Sequence, residues 1–182
     1  MTTDEIITGE GADFADRDFR RGVWRQTLTE VALLTARHDG RDGIMACEWA
    51  MLVAFSPMSF VISVGPRHAT FDLIEASGTF GLSFASDDQA RLSHISGSFS
   101  AHTVEDKWSM ADFPTYEAKT IDAPMIEGCP VNVECRVVEK RPFDNHTLII
   151  GEATWARYDT SKKPLLYHAG KYWRVGEQIP KE

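Results

Sequence analysis

Residues 131–158, VNVECRVVEKRPFDNHTLIIGEATWARY, hold two long runs that flank a single turn. In the first, Val131, Val133, Cys135 and Val137 fall on one side and Asn132, Glu134 and Arg136 on the other. That is the period of two of a β-strand. Pro142 to Asn145 supplies turn residues, and from His146 the run HTLIIGEATWARY returns as a second long strand. Strands joined by so short a turn are antiparallel, because a parallel pair needs a crossover of a dozen or more residues.

Working outward, the same grammar recurs. TEVALLTAR (29–37) reads as a strand, and HDGRDG carries the Asp-Gly turn that reverses the chain into MACEWAMLVAFSP (45–57). As a strand, 45–55 places Met45, Cys47, Trp49, Met51, Val53 and Phe55 on a bulky core face. Ala46, Glu48, Ala50, Leu52 and Ala54 then form a mostly small face that something flat can approach. A helix is the competing reading, since Ala, Met, Leu and Glu are good helix formers.

SFVISV is a strand closed by Gly65-Pro66, and TFGLSFA is another. Between them RHATFDLIEASG reads as a short helix, with Thr70 as N-cap, an apolar stripe of Phe71, Leu73 and Ile74, and Gly78 as its stop. SDDQARLSHISG predicts a second helix with a Ser86/Gln89 capping box and Gly97 at its end. Residues 98–128 read as an irregular surface excursion, and LLYHAGKYWRVG as short strands. Six or seven strands with two short helices predict a mainly β protein, an antiparallel barrel rather than a parallel α/β sheet.

A chain of 182 residues with 43% hydrophobic content supports one core. Residues 23–182 are expected to form a single domain, and the acidic, Gly-bearing 1–22 an arm that is loose or packs on a partner subunit. The net charge of -8, from 19 Lys+Arg against 27 Asp+Glu, argues against nucleic acid and anionic membranes as partners. A local basic pocket for a phosphate remains open. The N-terminus has no basic flank or apolar stretch of a signal peptide, and no apolar run reaches the ~18 residues of a membrane helix, so the expectation is cytoplasmic. The 3 cysteines, Cys47, Cys129 and Cys135, show no metal spacing and read as buried reduced thiols.

G-x-G-x-x-G after a strand, G-x-x-x-x-G-K-[ST], H-E-x-x-H and G-x-S-x-G are all missing, which disfavours Rossmann, P-loop, zincin and serine-hydrolase chemistry. The 6 histidines have no ligand spacing, so no metal is expected. Three features stand out. Arg67 and Thr70 open a predicted helix, where free N–H groups attract phosphate, or they are simply a cap beside a solvated arginine. His146 follows a turn, facing a site mouth or bare solvent. Asp106-Lys107-Trp108 brings a cation and an aromatic to a ligand, or forms a surface ion pair beside a packing tryptophan.

Taken in order, these pieces resemble the flavin reductase-like FMN-binding family, which has the split-barrel fold and includes the flavoredoxins. DGRDGIMACEWAMLVAFSPMSFVISVG, RHATFDLIEASGTFGLSF, SHISGSFSAHTVEDKW, APMIEGCPVNVECRV, and NHTLIIGEA with PLLYHAGKYWRVG carry the resemblance, over about residues 29–176. It implies FMN bound without a covalent link at a homodimer interface, and hydride transfer from NADH or NADPH. Backbone groups of Ala46, Cys47, Glu48 and Trp49 and of Val53 and Ala54 would meet the polar edge of the ring. Thr70 would meet the phosphate, with Arg67 and Lys107 as charge partners, and His146 would lie on the nicotinamide side.

Two departures stand out. Gly43-Ile44-Met45-Ala46-Cys47-Glu48-Trp49 replaces the common Asn-x-Met-Thr-x-Ser-Trp, and Asp144-Asn145-His146 replaces Gly-Asp-His. Glu48 thus stands where a small hydroxyl residue is usual, and a carboxylate beside the ring would lower the flavin potential. The resemblance implies an FMN-dependent NAD(P)H oxidoreductase with a flavin, ferric or protein acceptor. A non-enzymatic FMN-binding electron carrier is the alternative, and a split barrel holding haem or pyridoxal phosphate a third reading.

Overall fold

This computed structural model describes residues 9–11, 14–100, 104 and 106–181. Residues 1–8, 12 and 13 of the expected N-terminal arm, and residues 101–103 and 105 of the expected excursion, lie outside the described residues. The elements in chain order are α1 (Arg17–Arg25), β1 (Leu28–Glu30), β2 (Ala32–His38), β3 (Arg41–Cys47), β4 (Ala50–Phe55), β5 (Met58–Val64), α2 (Ala69–Ser77), β6 (Thr79–Phe84), α3 (Ala90–Ser98), β7 (Thr115–Glu117), β8 (Pro124–Ile126), β9 (Val131–Pro142), β10 (Thr147–Tyr158), β11 (Leu165–His168) and β12 (Lys171–Arg174). A 3-10 turn at Trp108–Met110 interrupts the excursion.

Seven strands form one antiparallel sheet in the order β3-β2-β6-β9-β10-β5-β4. β3 and β4 are consecutive in the chain yet occupy opposite edges, joined only by Glu48 and Trp49. The sheet must therefore curl until its two edges approach each other at that link, and Ser63 N–H donates to Trp49 O at 2.9 Å, carrying the β4–β5 ladder one residue into it. The mainly β, antiparallel barrel is as the sequence predicts. The β2–β3 turn sits at Asp39 and Gly40, both with positive φ (50° and 72°), as an Asp-Gly hairpin turn requires.

Two cores share β2. Ala32, Leu34 and Ala36 enter the barrel interior with Phe60, Ile62, Phe80, Leu82, Val133, Cys135 and Ile149. Val31 and Leu33 point the other way, into a second cluster with Ile44, Ala85, Ile95, Phe113, Ile126 and Leu165. Burial on both faces explains why this strand is almost continuously apolar. Burying each Leu, Ile or Phe contributes roughly 1.5–3 kcal/mol, an upper figure for a compact unfolded reference. Cys47, Cys129 and Cys135 are free and buried, as expected. Burial pushes the Cys47 thiol up to about 11 and those of Cys129 and Cys135 up to about 12.

Several local expectations change. The 45–55 run is two strands, because the chain bends at Glu48 and Trp49. Met45 and Cys47 face the interior, but the bend shifts the parity so that Ala50 packs on the same core. Met51, Val53 and Phe55 are consequently 59%, 49% and 80% exposed rather than core. A third helix, α1, occupies part of the expected arm, with the Asp16 side chain accepting from Asp18 N–H at its start. The N-cap of α2 is His68, and Thr70 lies inside the first turn. α3 begins at Ala90. Ser86 N–H still donates to Gln89 Oε1 at 2.9 Å, but the Ser86 hydroxyl turns to the Asp88 carboxylate and so does not cap the helix.

A polar seam pins the excursion to β9. Glu134 is fully buried and accepts from Lys119 N–H (2.7 Å), Thr120 N–H (2.6 Å) and the Thr120 hydroxyl (2.7 Å). Asn132, also fully buried, donates to Ser83 Oγ and Ile126 O, each at 2.8 Å. Removing the Glu134 carboxylate strands two backbone donors, a loss of about 3 kcal/mol. Glu134→Leu is therefore expected to lower the urea midpoint at an unchanged m-value.

Candidate active site

The seam where the barrel edges meet opens into a cavity of about 480 Å3, within the range of pockets that enclose a drug-sized ligand. Ala46, Cys47, Glu48 and Trp49 contribute one wall, His68 and His146 another, and Trp24, Tyr167 and Tyr172 an aromatic third. A second cavity of about 110 Å3, lined by Thr70, Ser96 and Lys107, shares Met45, Ala46, His68, Gly97 and Ser98 with the first. The two form one elongated cleft.

Its floor is narrow by design of residue size. A Cβ on Gly97 would lie 3.2 Å from the Ala46 Cβ, so α3 can lie close on β3 only because both residues are small. Likewise a Cβ on Gly43 would fall 2.6 Å from Leu73 Cδ1 and 3.2 Å from Thr70 Oγ1, so Gly43 lets α2 seat against β3.

At one end, Trp24 Nε1–H donates to Glu48 Oε1 at 2.8 Å. Burial pushes the Glu48 carboxyl above its usual range, opposed by that hydrogen bond and by the nearby His146. The His146 ring stands 4.8 Å from the Trp49 ring at 57°, and its Nδ1 is 2.8 Å from Asn145 Oδ1. Trp24 packs on Tyr167 (6.4 Å between centroids), which packs on Tyr172 (5.5 Å). Burial, with Tyr167 adding to it, pushes the Tyr172 phenol up to about 12.

At the other end, Lys107 is buried and donates through Nζ to Ile44 O (2.8 Å) and Ser96 O (2.9 Å), tying β3 to α3. An ammonium has three N–H groups, which leaves one for the cavity it lines. Burial pulls this lysine down to about 8. Thr70 is also buried there, in the first turn of α2, where unsatisfied N–H groups and the helix dipole favour an anion. Its hydroxyl makes no hydrogen bond among the described residues.

Of the residues singled out from sequence, Ala46, Cys47, Glu48, Trp49, Thr70, Lys107 and His146 come together along this cleft. Val53, Ala54 and Arg67 line neither cavity, the first two lying beyond the Glu48–Trp49 bend on edge strand β4. Sequence reasoning missed Trp24, His68, His94, Tyr167 and Tyr172. Asp16 as a helix cap was the one signal that α1 exists, and nothing local says that β11 and β12 return to form a three-stranded sheet with β1 beside the cavity. Among the described residues no group of three or more His, Cys, Asp or Glu side chains is placed to hold a metal. No helix among them is long and apolar enough to cross a membrane.

An antiparallel split barrel, with one cleft running from Glu48, Trp49 and His146 to Thr70 and Lys107, is the class of fold and site that these residues build. The chain belongs to the flavin reductase-like domain family, whose model matches residues 24–176. It is 28% identical over 112 residues to an uncharacterized protein of Archaeoglobus fulgidus, covering 62% of this chain and 63% of that protein, so it spans less than two thirds of that relative's length. An NADH-dependent flavin reductase of a Rhodococcus species is 26% identical over 159 residues, 84% of this chain and 82% of that one. The solved NADH:FAD oxidoreductase SgcE6 of Streptomyces globisporus C-1027 matches with a TM-score of 0.84 at 21% identity, over 94% of this chain and all (100%) of that one.

Lys107 has a direct signature. A free lysine titrates near 10.5 and this one near 8, so between those values the unfolded chain keeps a proton that the folded protein has lost. Stability then rises with pH across that window. Urea midpoints measured from pH 7.5 to 10 in ligand-free protein are expected to show this rise, and Lys107→Met to abolish it.

Proposed function

We propose that the protein is an FMN-dependent oxidoreductase of the flavin reductase type. It passes hydride or electrons from NADH or NADPH, through bound FMN, to a flavin, ferric or protein acceptor. The observation that carries this is the single cleft with Glu48, Trp49 and His146 at its wide end and Thr70 and Lys107 at its narrow one. Bound flavin would supply the redox chemistry, accepting hydride at N5. The chain's own part is to hold and orient it. Ala46 and Gly97 leave a flat floor, while Thr70, the first turn of α2 and the Lys107 ammonium receive the phosphate. Trp49 fixes the imidazole of His146 at the mouth, on the side where nicotinamide would arrive.

The narrow end supports FMN over FAD. Its cavity of about 110 Å3, lined by Thr70 and Lys107, has room for the single terminal phosphate of FMN. A homodimer is supported by β4, an edge strand whose Met51, Leu52, Val53 and Phe55 are exposed together with Met58. An uncovered apolar edge strand invites pairing. In such a dimer Val53 and Ala54 would approach a flavin across the interface rather than within one chain.

Anaerobic addition of NADH and NADPH to FMN-loaded protein is expected to bleach the flavin absorbance. Bleaching by dithionite alone would instead identify a flavin-holding electron carrier. His146→Ala should slow flavin reduction by about 10²-fold, the range for loss of a positioned acid–base group, while changing FMN affinity far less. Thr70→Val should weaken FMN by about tenfold, one charge-assisted hydrogen bond, and leave riboflavin binding as it was. Isothermal titration with both ligands measures the difference.

A further inference from the structure

The first helix is unlike the rest of the chain. α1, RDFRRGVWR, holds Arg17, Arg20, Arg21 and Arg25 within nine residues of a protein whose net charge is -8. None of its residues is buried in a core. Arg17, Arg21 and Arg25 succeed one another at a spacing of four, where like charges repel and destabilise a helix by a few tenths of a kcal/mol per pair. Arg25 gains from its place in the last turn. Arg17 and Arg21 have no such compensation and no ion pair among the described residues. Arg20 donates to Phe14 O at 2.7 Å. The acids of the segment, Asp16 and Asp18, sit at the helix start and bond to each other, Asp18 N–H to Asp16 Oδ1 at 2.9 Å.

The arginines share a direction with the residue that reaches the site. At about 100° per residue, Arg17, Arg20 and Arg21 all lie within roughly 60° of Trp24 around the helix. Trp24 lines the large cavity and bonds Glu48. Arg20 and Arg21 are about one turn, near 5 Å of rise, from Trp24, and Arg17 about two turns, near 10 Å. A basic stripe thus runs outward from the wide mouth. It lies at the end opposite Lys107 and Thr70, so basic side chains stand at both ends of the cleft.

We propose that the Arg17–Arg20–Arg21 face of α1 is the substrate's phosphate subsite, holding the diphosphate of a nicotinamide dinucleotide whose ring enters the cavity beside Trp24. This rests on the oxidoreductase reading above. Guanidinium groups suit the task because they pair with phosphate oxygens through two parallel N–H donors and stay charged at any working pH. The deeper carboxylate of Glu48, held by Trp24, discourages the diphosphate from sliding inward and leaves the interior to the uncharged carboxamide end. Exposed arginines in an acidic protein also steer an anionic substrate to this mouth.

The test compares NADH with reduced nicotinamide riboside, which carries the same ring and ribose with no phosphate. In FMN-loaded protein, the ratio of kcat/KM for NADH to that for the riboside should fall by at least about tenfold in Arg17→Gln/Arg21→Gln, chiefly through KM. The wild-type ratio should also fall as salt is raised. Arg17→Lys/Arg21→Lys should recover part of the loss. Both sites are exposed on a surface helix, so circular dichroism and the thermal midpoint should stay near wild type. An unmoved ratio, or an equal fall for both substrates, would overturn the subsite. A wild-type flavin that dithionite reduces but neither nicotinamide does would overturn the oxidoreductase reading, and this proposal with it.

Discussion

Two residues hold the opposite edges of the sheet together. β3 and β4 follow each other in the chain, yet five strands separate them in the sheet, and only Glu48 and Trp49 join them. That short link draws the two edges together and bends the backbone, and Trp49 O extends the β4–β5 ladder into it by accepting from Ser63 N–H. β10 pairs with β5 so that Thr147 opposes Val64, which delivers the preceding His146 to the same seam, against the Trp49 ring. The link that curls the sheet also forms a wall of the site, which is why the acid, the indole and the imidazole meet there.

The narrow end depends on the approach of helices to β3. Small residues permit it, Gly43 beneath α2 and Gly97 opposite Ala46 beneath α3. Lys107 then locks it, bridging a β3 carbonyl and an α3 carbonyl with one ammonium. A cation buried against two carbonyl dipoles without a carboxylate is incompletely compensated, and its depressed proton affinity records that strain. The same feature weakens the ligand-free fold below about pH 8, and a phosphate bound as proposed would offset it.

Much of this was legible in the chain. The alternation of Val131, Val133, Cys135 and Val137 survives in the barrel core, and Asp39-Gly40 makes the turn that its chemistry dictates. Ala46, Glu48, Thr70, Lys107 and His146 reach one cleft, as the motif order implied. Parity beyond Glu48 failed because a two-residue bend cannot be told from continuing strand by composition. The basic α1 was hidden by its unfavourable pattern of like charges and by Gly22, a poor helix former. Its role comes from Trp24, whose partner Glu48 lies 24 residues away.

Sequence by itself determined what short-range physics controls: strand periods, glycine turns, the sites where the helices of the barrel begin within a few residues, and an acidic net charge. Only tertiary structure decided which faces became interior and which residues met across the closure. Met51, Val53 and Phe55 were apolar enough for a core, but the bend at Glu48 and Trp49 turned them outward. Tyr167 and Tyr172 had no local mark of function, and became a cavity wall because β11 pairs with β1 beside it. Side-chain direction in a strand has a period of two, so one bend reverses every later assignment, and no local pattern records where the edges of a sheet will join.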